Sequence, residues 1–194
     1  MPARKVYFVP GHYYHIYNRG AGRQLIFRES DNYIFVLRRI KEHASSLNET
    51  IIAYCLMPNH YHFLLRQNGD EPAGLLPQWV FNSYTKAFNK RYSRSGTLFE
   101  GRYQAIHVDK HEYLVHLCRY IHANPVKAGL VSQIEQWPYS NYHEWLGTRR
   151  GTLVDPAFVQ EHFPQVQLYQ EFVQSYLTGL ESLPAGIEPY LLVS

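Results

Sequence analysis

Two apolar β segments separated by only two residues constrain this chain most. "TIIAYCLM" (50–57) and "HYHFLLRQ" (60–67) flank Pro58-Asn59, a dipeptide suited to a tight turn. Two residues can join antiparallel neighbours only, because parallel strands need a crossover of about a dozen residues or more. The chain is therefore expected to build an antiparallel sheet around this hairpin.

The flanking segments supply its other parts. "HYYHIYN" (12–18) reads as a strand running into the glycine loop "RGAGR". "SDNYIFVLRRIKEHASSLN" opens on a Ser30 or Asp31 cap and repeats apolar residues at Ile34, Leu37, Ile40 and Ala44, predicting a helix. A second helix follows from Gly74, with its stripe at Trp79, Val80, Tyr84 and Phe88 and a stop at Gly96. "TLFEGRYQAIHV" is expected as a strand interrupted near Gly101, and residues 109–124 as a helix capped by Asp109 and stopped before Pro125. The order β-α-β-β-α-β-α predicts an α+β fold: a ferredoxin-like antiparallel sheet with helices on one face. Residues 1–131 would form this domain. Residues 132–194 would be an appendage with one helix in "QLYQEFVQSYLTGL".

At 194 residues the chain can bury a sizeable single core. Its two cysteines, Cys55 and Cys118, lie in apolar stretches without metal-ligand spacing and are expected to be buried thiols. The first 20 residues lack the apolar stretch of a signal peptide, and no run approaches the ~20 apolar residues of a membrane span. A cytoplasmic protein without a membrane partner is expected. The net charge of +3 is mild, but its distribution is uneven. Lys86, Lys90, Arg91, Arg94, Arg102, Lys110, Arg119 and Lys127 face only Glu100, Asp109 and Glu112 in the middle of the chain, whereas the segment after Gln133 is acidic. A positive centre suits phosphates. The 17 tyrosines offer flat rings that can stack on bases, or can simply fill strands and half-buried helix faces.

His60 and His62 stand two apart on a strand and so share one face. They are either half-buried strand residues or a pair that grips a ligand. On the helix 109–124 the stripe Leu114, Leu117, Cys118, Ile121 must face the core, and Tyr120 and Asn124 share a ridge at its border. That ridge is either a boundary aromatic with a helix cap, or a hydroxyl and an amide oxygen offered together. Two imidazoles and one oxygen ligand would make a three-point site for a divalent ion. Such an ion would polarise a phosphate and relieve the poor nucleophilicity of a phenol with a pKa of about 10.

At this point "AYCLMPNHYHFLL", "SYTKAFNKRYSRSGTLFEGRYQAIHV", "YLVHLCRYIHANPVKAGLV" and "WPYSNYHEWLG" together resemble the REP-associated tyrosine transposases. These are a branch of the HUH single-tyrosine transposases of bacterial insertion sequences. The resemblance runs over residues 9–178, with the blocks in the family's order and spacing. It implies that His60 and His62 are metal ligands, that Tyr120 is the nucleophile and that Asn124 is the third ligand. It further implies Mg²⁺ or Mn²⁺ as the ion, although the donor set would also take zinc readily.

The implied reaction is cleavage and rejoining of single-stranded or hairpin-forming repeat DNA through a 5′-phosphotyrosine. Asn18, Arg19, Lys86, Lys90, Arg91, Arg102 and Lys127 become the candidate DNA contacts. Arg19 and Arg102 lead because each adjoins a glycine that could let backbone approach a ligand. Related enzymes act as monomers or as dimers, and a homodimer stays open. Two rivals remain: a domesticated DNA- or RNA-binding regulator without cleavage, and a phosphodiesterase that uses water.

Overall fold

A computed structural model describes residues 6–192. Four strands, β1 (Tyr13–Arg19), β2 (Glu49–Met57), β3 (His60–Gln67) and β4 (Gln104–Val108), form one sheet in the order β2-β3-β1-β4. Every neighbouring pair is antiparallel. The Pro58-Asn59 turn is held from outside, because the Pro58 carbonyl accepts from the amides of Ile26 and Phe27 and the Asn59 carbonyl from Gly20. Gly20 is required there: a Cβ would lie 2.2 Å from the Gln24 carbonyl oxygen.

The helices are α1 (Ser30–Ser46), α2 (Leu75–Arg91), α3 (Glu112–Lys127), α4 (Tyr142–Trp145), α5 (Pro156–His162) and α6 (Val166–Leu177). The antiparallel sheet of an α+β fold is the one expected, but helices cover both of its faces. On one face Tyr14, Ile16, Tyr54, Leu56, Tyr61, Phe63 and Leu65 pack with α1 and α2. On the other, Ala53, Cys55, Met57 and Leu64 pack with Leu114, Leu117, Cys118 and Ile121 of α3. A bulge at Ile52 rephases β2, which is apolar on both sides, and β3 beside it is buried on both, so neither face can be left to water.

Residues beyond Lys127 extend the second core with Ile134, Tyr142, Trp145, Phe158, Tyr169, Val173 and Ile187. Residues 139–141 run along the outer edge of β2, where Leu56 donates to the Tyr139 carbonyl at 2.9 Å and Asn141 to the Tyr54 carbonyl at 3.3 Å. Arg119 fastens the same segment. Its side chain is fully buried, pairs with Glu181 at 2.8 Å, donates to the Ser182 carbonyl and stacks on Phe172 at 4.1 Å. It cannot belong to a phosphate-holding surface as its place in the basic segment suggested. Both cysteines are buried and free.

Several boundaries differ from expectation for physical reasons. The buried side of α1 is Tyr33, Val36, Ile40 and Ala44, and Ile34 is 56% exposed. The large Tyr33 ring wins because it stacks on Tyr139 at 3.7 Å and on Phe27 at 4.3 Å. Trp79 is likewise turned outward, and Leu76 takes its place beneath α2. The segment expected as a strand from Thr97 pairs regularly only from Gln104, preceded by one bridge between Phe99 and Gly20. Asp109 does not cap α3. It accepts from the Tyr190 hydroxyl at 2.5 Å, and the helix starts at Glu112.

Pro125 does not end α3, which runs on to Lys127. A proline in the last turn forfeits only its own donor, and the end is closed by Ala128 donating to Asn124 and Leu130 to Pro125, with Gly129 at φ 69°. Asn124 is therefore held inside a helix one turn after Tyr120. Among the described residues, no helix is long and apolar enough to cross a membrane.

Candidate active site

Cross-strand pairing sets the site. Tyr17 of β1 lies opposite His62 and Arg19 opposite His60, so His15, Tyr17, His60 and His62 come to the sheet face that α3 covers. The His60 and His62 rings sit 5.0 Å apart, edge to face. The Tyr120 ring crosses His62 at 5.6 Å and His15 at 6.5 Å, again edge-on. Helix and hairpin thus bring the Tyr120 ring to the histidine pair, with Asn124 one turn further along α3 and hydrogen-bonded to the Tyr120 carbonyl.

Hydrogen bonds fix how the rings present their nitrogens. His15 Nδ1 donates to the Tyr190 carbonyl at 2.5 Å, which leaves its Nε2 as an acceptor. His62 Nδ1 lies 3.0 Å from that Nε2 and donates to it. The lone pair of His62 is then on Nε2, an atom that is buried and has no hydrogen-bond partner. His60 Nδ1 donates to Asn59 Oδ1 at 2.7 Å, so its Nε2 carries the lone pair as well. Asn124 uses its amide nitrogen on the Tyr120 carbonyl at 2.8 Å, keeping Oδ1 as its remaining acceptor.

Burial and charge keep these rings neutral. Burial, with the Arg19 charge adding to it, lowers His60 to about 4. His15 also falls to about 4 by burial, against the pull of the Tyr190 carbonyl. His62 is driven well below the ordinary range by burial and by its two histidine neighbours. A neutral imidazole with a buried, unpartnered Nε2 is what a divalent metal requires of a ligand, so His62, together with the Nε2 lone pair of His60 and the Oδ1 of Asn124, fits such an ion. The Tyr120 hydroxyl is pushed up to about 12 by burial, opposed by the Leu192 backbone amide and the Asn124 side chain.

The candidate DNA contacts divide among different places. Asn18 and Arg102 meet in a cleft of ≈ 480 Å³ on the opposite sheet face, with Phe81, Phe99 and Gln78 of its lining. Asn18 there donates to the Gly101 carbonyl at 3.0 Å. Lys86 and Lys90 stand exposed on α2. Arg91 is tied to Glu29 at 2.7 Å and Asp31 at 3.1 Å. Lys127 lies over the Tyr176 ring at 4.5 Å. Arg19 pairs with Glu100 at 2.6 Å, and the glycine beside it serves the protein's own Gln24 backbone rather than a ligand.

His15, Tyr17 and the tail residues Tyr190 and Leu192 were not among the expected site residues. His15 and Tyr17 alternate along "HYYHIYN" as His60 and His62 do along their strand, which is the signal that could have found them. For the tail, nothing in the sequence indicated that it returns to β1.

This fold is shared with a solved REP-associated tyrosine transposase bound to a REP hairpin. The likeness has a TM-score of 0.65 at 20% identity, over 80% of this chain and 94% of that one. The chain belongs to the IS200-like transposase family, whose profile matches residues 8–124. A protein of Haemophilus influenzae provisionally named as a REP-associated tyrosine transposase is 29% identical over 103 residues. That match covers 47% of this chain and 58% of the relative's length.

Proposed function

We propose that this chain cleaves and rejoins single-stranded, hairpin-forming DNA by transesterification, with Tyr120 as the nucleophile. The observation that carries the reading is the buried, unpartnered Nε2 of His62 beside the Tyr120 ring. A fully buried polar atom without a partner costs about 1–3 kcal/mol, and a ligand that occupies it removes that cost.

In this mechanism the Tyr120 Oη bonds to phosphorus while the bond from phosphorus to the 3′ oxygen breaks. Tyr120 loses its proton and the departing 3′ oxygen gains one, leaving a 5′-phosphotyrosine and a free 3′-OH. A second 3′-OH reverses these steps and releases Tyr120. A divalent ion held by His60, His62 and Asn124, Mg²⁺ or Mn²⁺ by family, would supply positive charge for the phosphate oxygens and the phenolate. His15 holds His62 in the tautomer that offers Nε2. Tyr17 lines the same face, and the Leu192 backbone lies at the Tyr120 hydroxyl, so a strand that reaches the hydroxyl displaces Leu192.

Hairpin DNA is the substrate class because the exposed lysines of α2 and the Asn18–Arg102 cleft suit backbone phosphates and splayed bases. The relative solved with a REP hairpin supports that choice. The test is a denaturing gel of end-labelled hairpin DNA incubated with the protein and Mn²⁺. The parent is expected to form a covalent adduct, and Tyr120→Phe, folded and still binding DNA, to form none. Binding without any adduct in the parent points to the regulator reading, and cleavage that persists in Tyr120→Phe points to water as nucleophile.

A further inference from the structure

We propose that His111, Glu161 and His162 form a second metal site, for one Zn²⁺-type ion, where the start of α3 meets the end of α5. One ligand atom from each of the three lies within 4.8 Å of the others. Nine residues of sequence separate His111 from Tyr120, about 13 Å along a helix, so the two sites share no ion. This inference stands independently of the DNA chemistry proposed above.

His162 is prepared as a ligand. Its Nδ1 donates to the Phe158 carbonyl at 2.9 Å, which leaves the lone pair on Nε2, and its ring stacks on Phe158 at 4.2 Å. A backbone carbonyl behind the ring is the usual support of a metal-binding imidazole. Phe158 is itself buried, and Asp155 accepts from the Ala157 and Phe158 amides while pairing with Arg66 at 3.0 Å. The α5 side of the site is thus anchored to β3. On the α3 side, the His111 ring lies 5.5 Å from that of His162. Tyr113 next to it donates to the Ala185 carbonyl at 3.0 Å.

The donor chemistry selects the ion. Two imidazoles and one carboxylate carry a net charge of −1 and are the three-ligand set that zinc takes with a water in its fourth place. Magnesium prefers oxygen ligands and retains its water shell. A tetrahedron with bonds of about 2 Å has edges of about 3.3 Å. His111 and Glu161 are exposed, so side-chain rotation closes the present spread. An ion held there ties the C-terminal segment to the first turn of the helix that carries Tyr120 and Asn124.

The experiment uses the untagged full chain with His60→Ala and His62→Ala together, so that the other site cannot bind. Zn²⁺ is titrated against a chromophoric chelator, and Co²⁺ absorption reports coordination geometry. One equivalent of Zn²⁺ is expected, with a tetrahedral Co²⁺ spectrum and a rise in melting temperature. Adding His162→Ala, or separately the exposed His111→Asn, should abolish all three effects, and the His111 variant should leave the metal-free melting temperature unchanged. Absence of Zn²⁺ binding in the background chain overturns the proposal. So does an equivalent that survives His162→Ala but disappears with His107→Ala, which would place the ion at the exposed His12–His107 pair, 2.7 Å apart.

Discussion

His62 Nδ1 and His15 Nε2 lie 3.0 Å apart in the floor of the sheet, and His15 in turn donates to the Tyr190 carbonyl. Neither imidazole can change tautomer without breaking this series. The backbone of a residue in the C-terminal tail therefore decides which nitrogen of His62 carries its lone pair.

Replacing His15 tests that dependence. His15→Phe keeps a ring of similar size and leaves His62 Nδ1 a buried donor without an acceptor, a loss of about 1–3 kcal/mol. Supports of this kind are worth about 10–100-fold in metal affinity. Calorimetric titration with Mn²⁺ should show weakening in that range in a folded variant. Affinity equal to the parent's would remove His15 from any role in presenting His62.

The contrast between the histidine pair and His15 marks how far the sequence could be read. Spacing of two on an apolar strand put His60 and His62 on one face, and helical periodicity set Tyr120 beside Asn124, because both arguments are local. The pairing of β1 with β3, which carries His15 to His62, spans 47 residues and follows from sheet order rather than from any short motif. The same holds for Tyr33, whose stacking on Tyr139 decides the buried side of α1. Pro125 is a different case: its local rule is sound, but the last turn of a helix has little left for a proline to break.

Acid should unfold the metal-free protein through its buried histidines. Burial lowers His15, His60 and His122 to about 4, whereas the unfolded chain protonates near pH 6.5. Between those values the unfolded state binds more protons, so the stability they contribute is complete above about pH 6.5 and is lost as pH falls towards about 4. Each such proton contributes at most about 1.4 kcal/mol per pH unit. Urea midpoints measured in chelator should fall steeply over this window. A flat profile would mean that these rings are not held neutral.

Glu49 has the opposite sign. It is 7% exposed, and burial pushes its carboxyl up to about 9 against the pull of the Leu76 amide. The folded chain keeps a proton there that the unfolded chain releases near pH 4.5, so stability is lost as pH rises from there towards about 9. Glu49→Gln removes the charge that cannot be solvated and keeps the shape. Its melting temperature should match the parent near pH 4.5 and exceed it at pH 8. At this chain length ~1 kcal/mol is worth about 2–4 °C. No gain at pH 8 would show that the carboxylate is accommodated after all.

The basic residues of the chain should separate by pairing state when DNA is bound. Each phosphate neutralised by a free cation adds nearly one unit to the slope of log affinity against log salt. Lys86 and Lys90 are exposed on α2, so Lys86→Ala and Lys90→Ala should each reduce that slope by about 1 on hairpin DNA. Arg91 is already neutralised by Glu29 and Asp31, and a phosphate would have to displace both. Arg91→Ala should therefore change the slope by much less. Arg119 is fully buried against Glu181 and Phe172, so any loss of binding in Arg119→Met should follow its fall in stability and leave the slope intact. Fluorescence anisotropy over a salt series, paired with thermal melts, measures both quantities. If Arg91→Ala lowers the slope as much as Lys86→Ala does, the acidic partners of Arg91 yield to DNA and the α2 surface is wider than its exposed lysines.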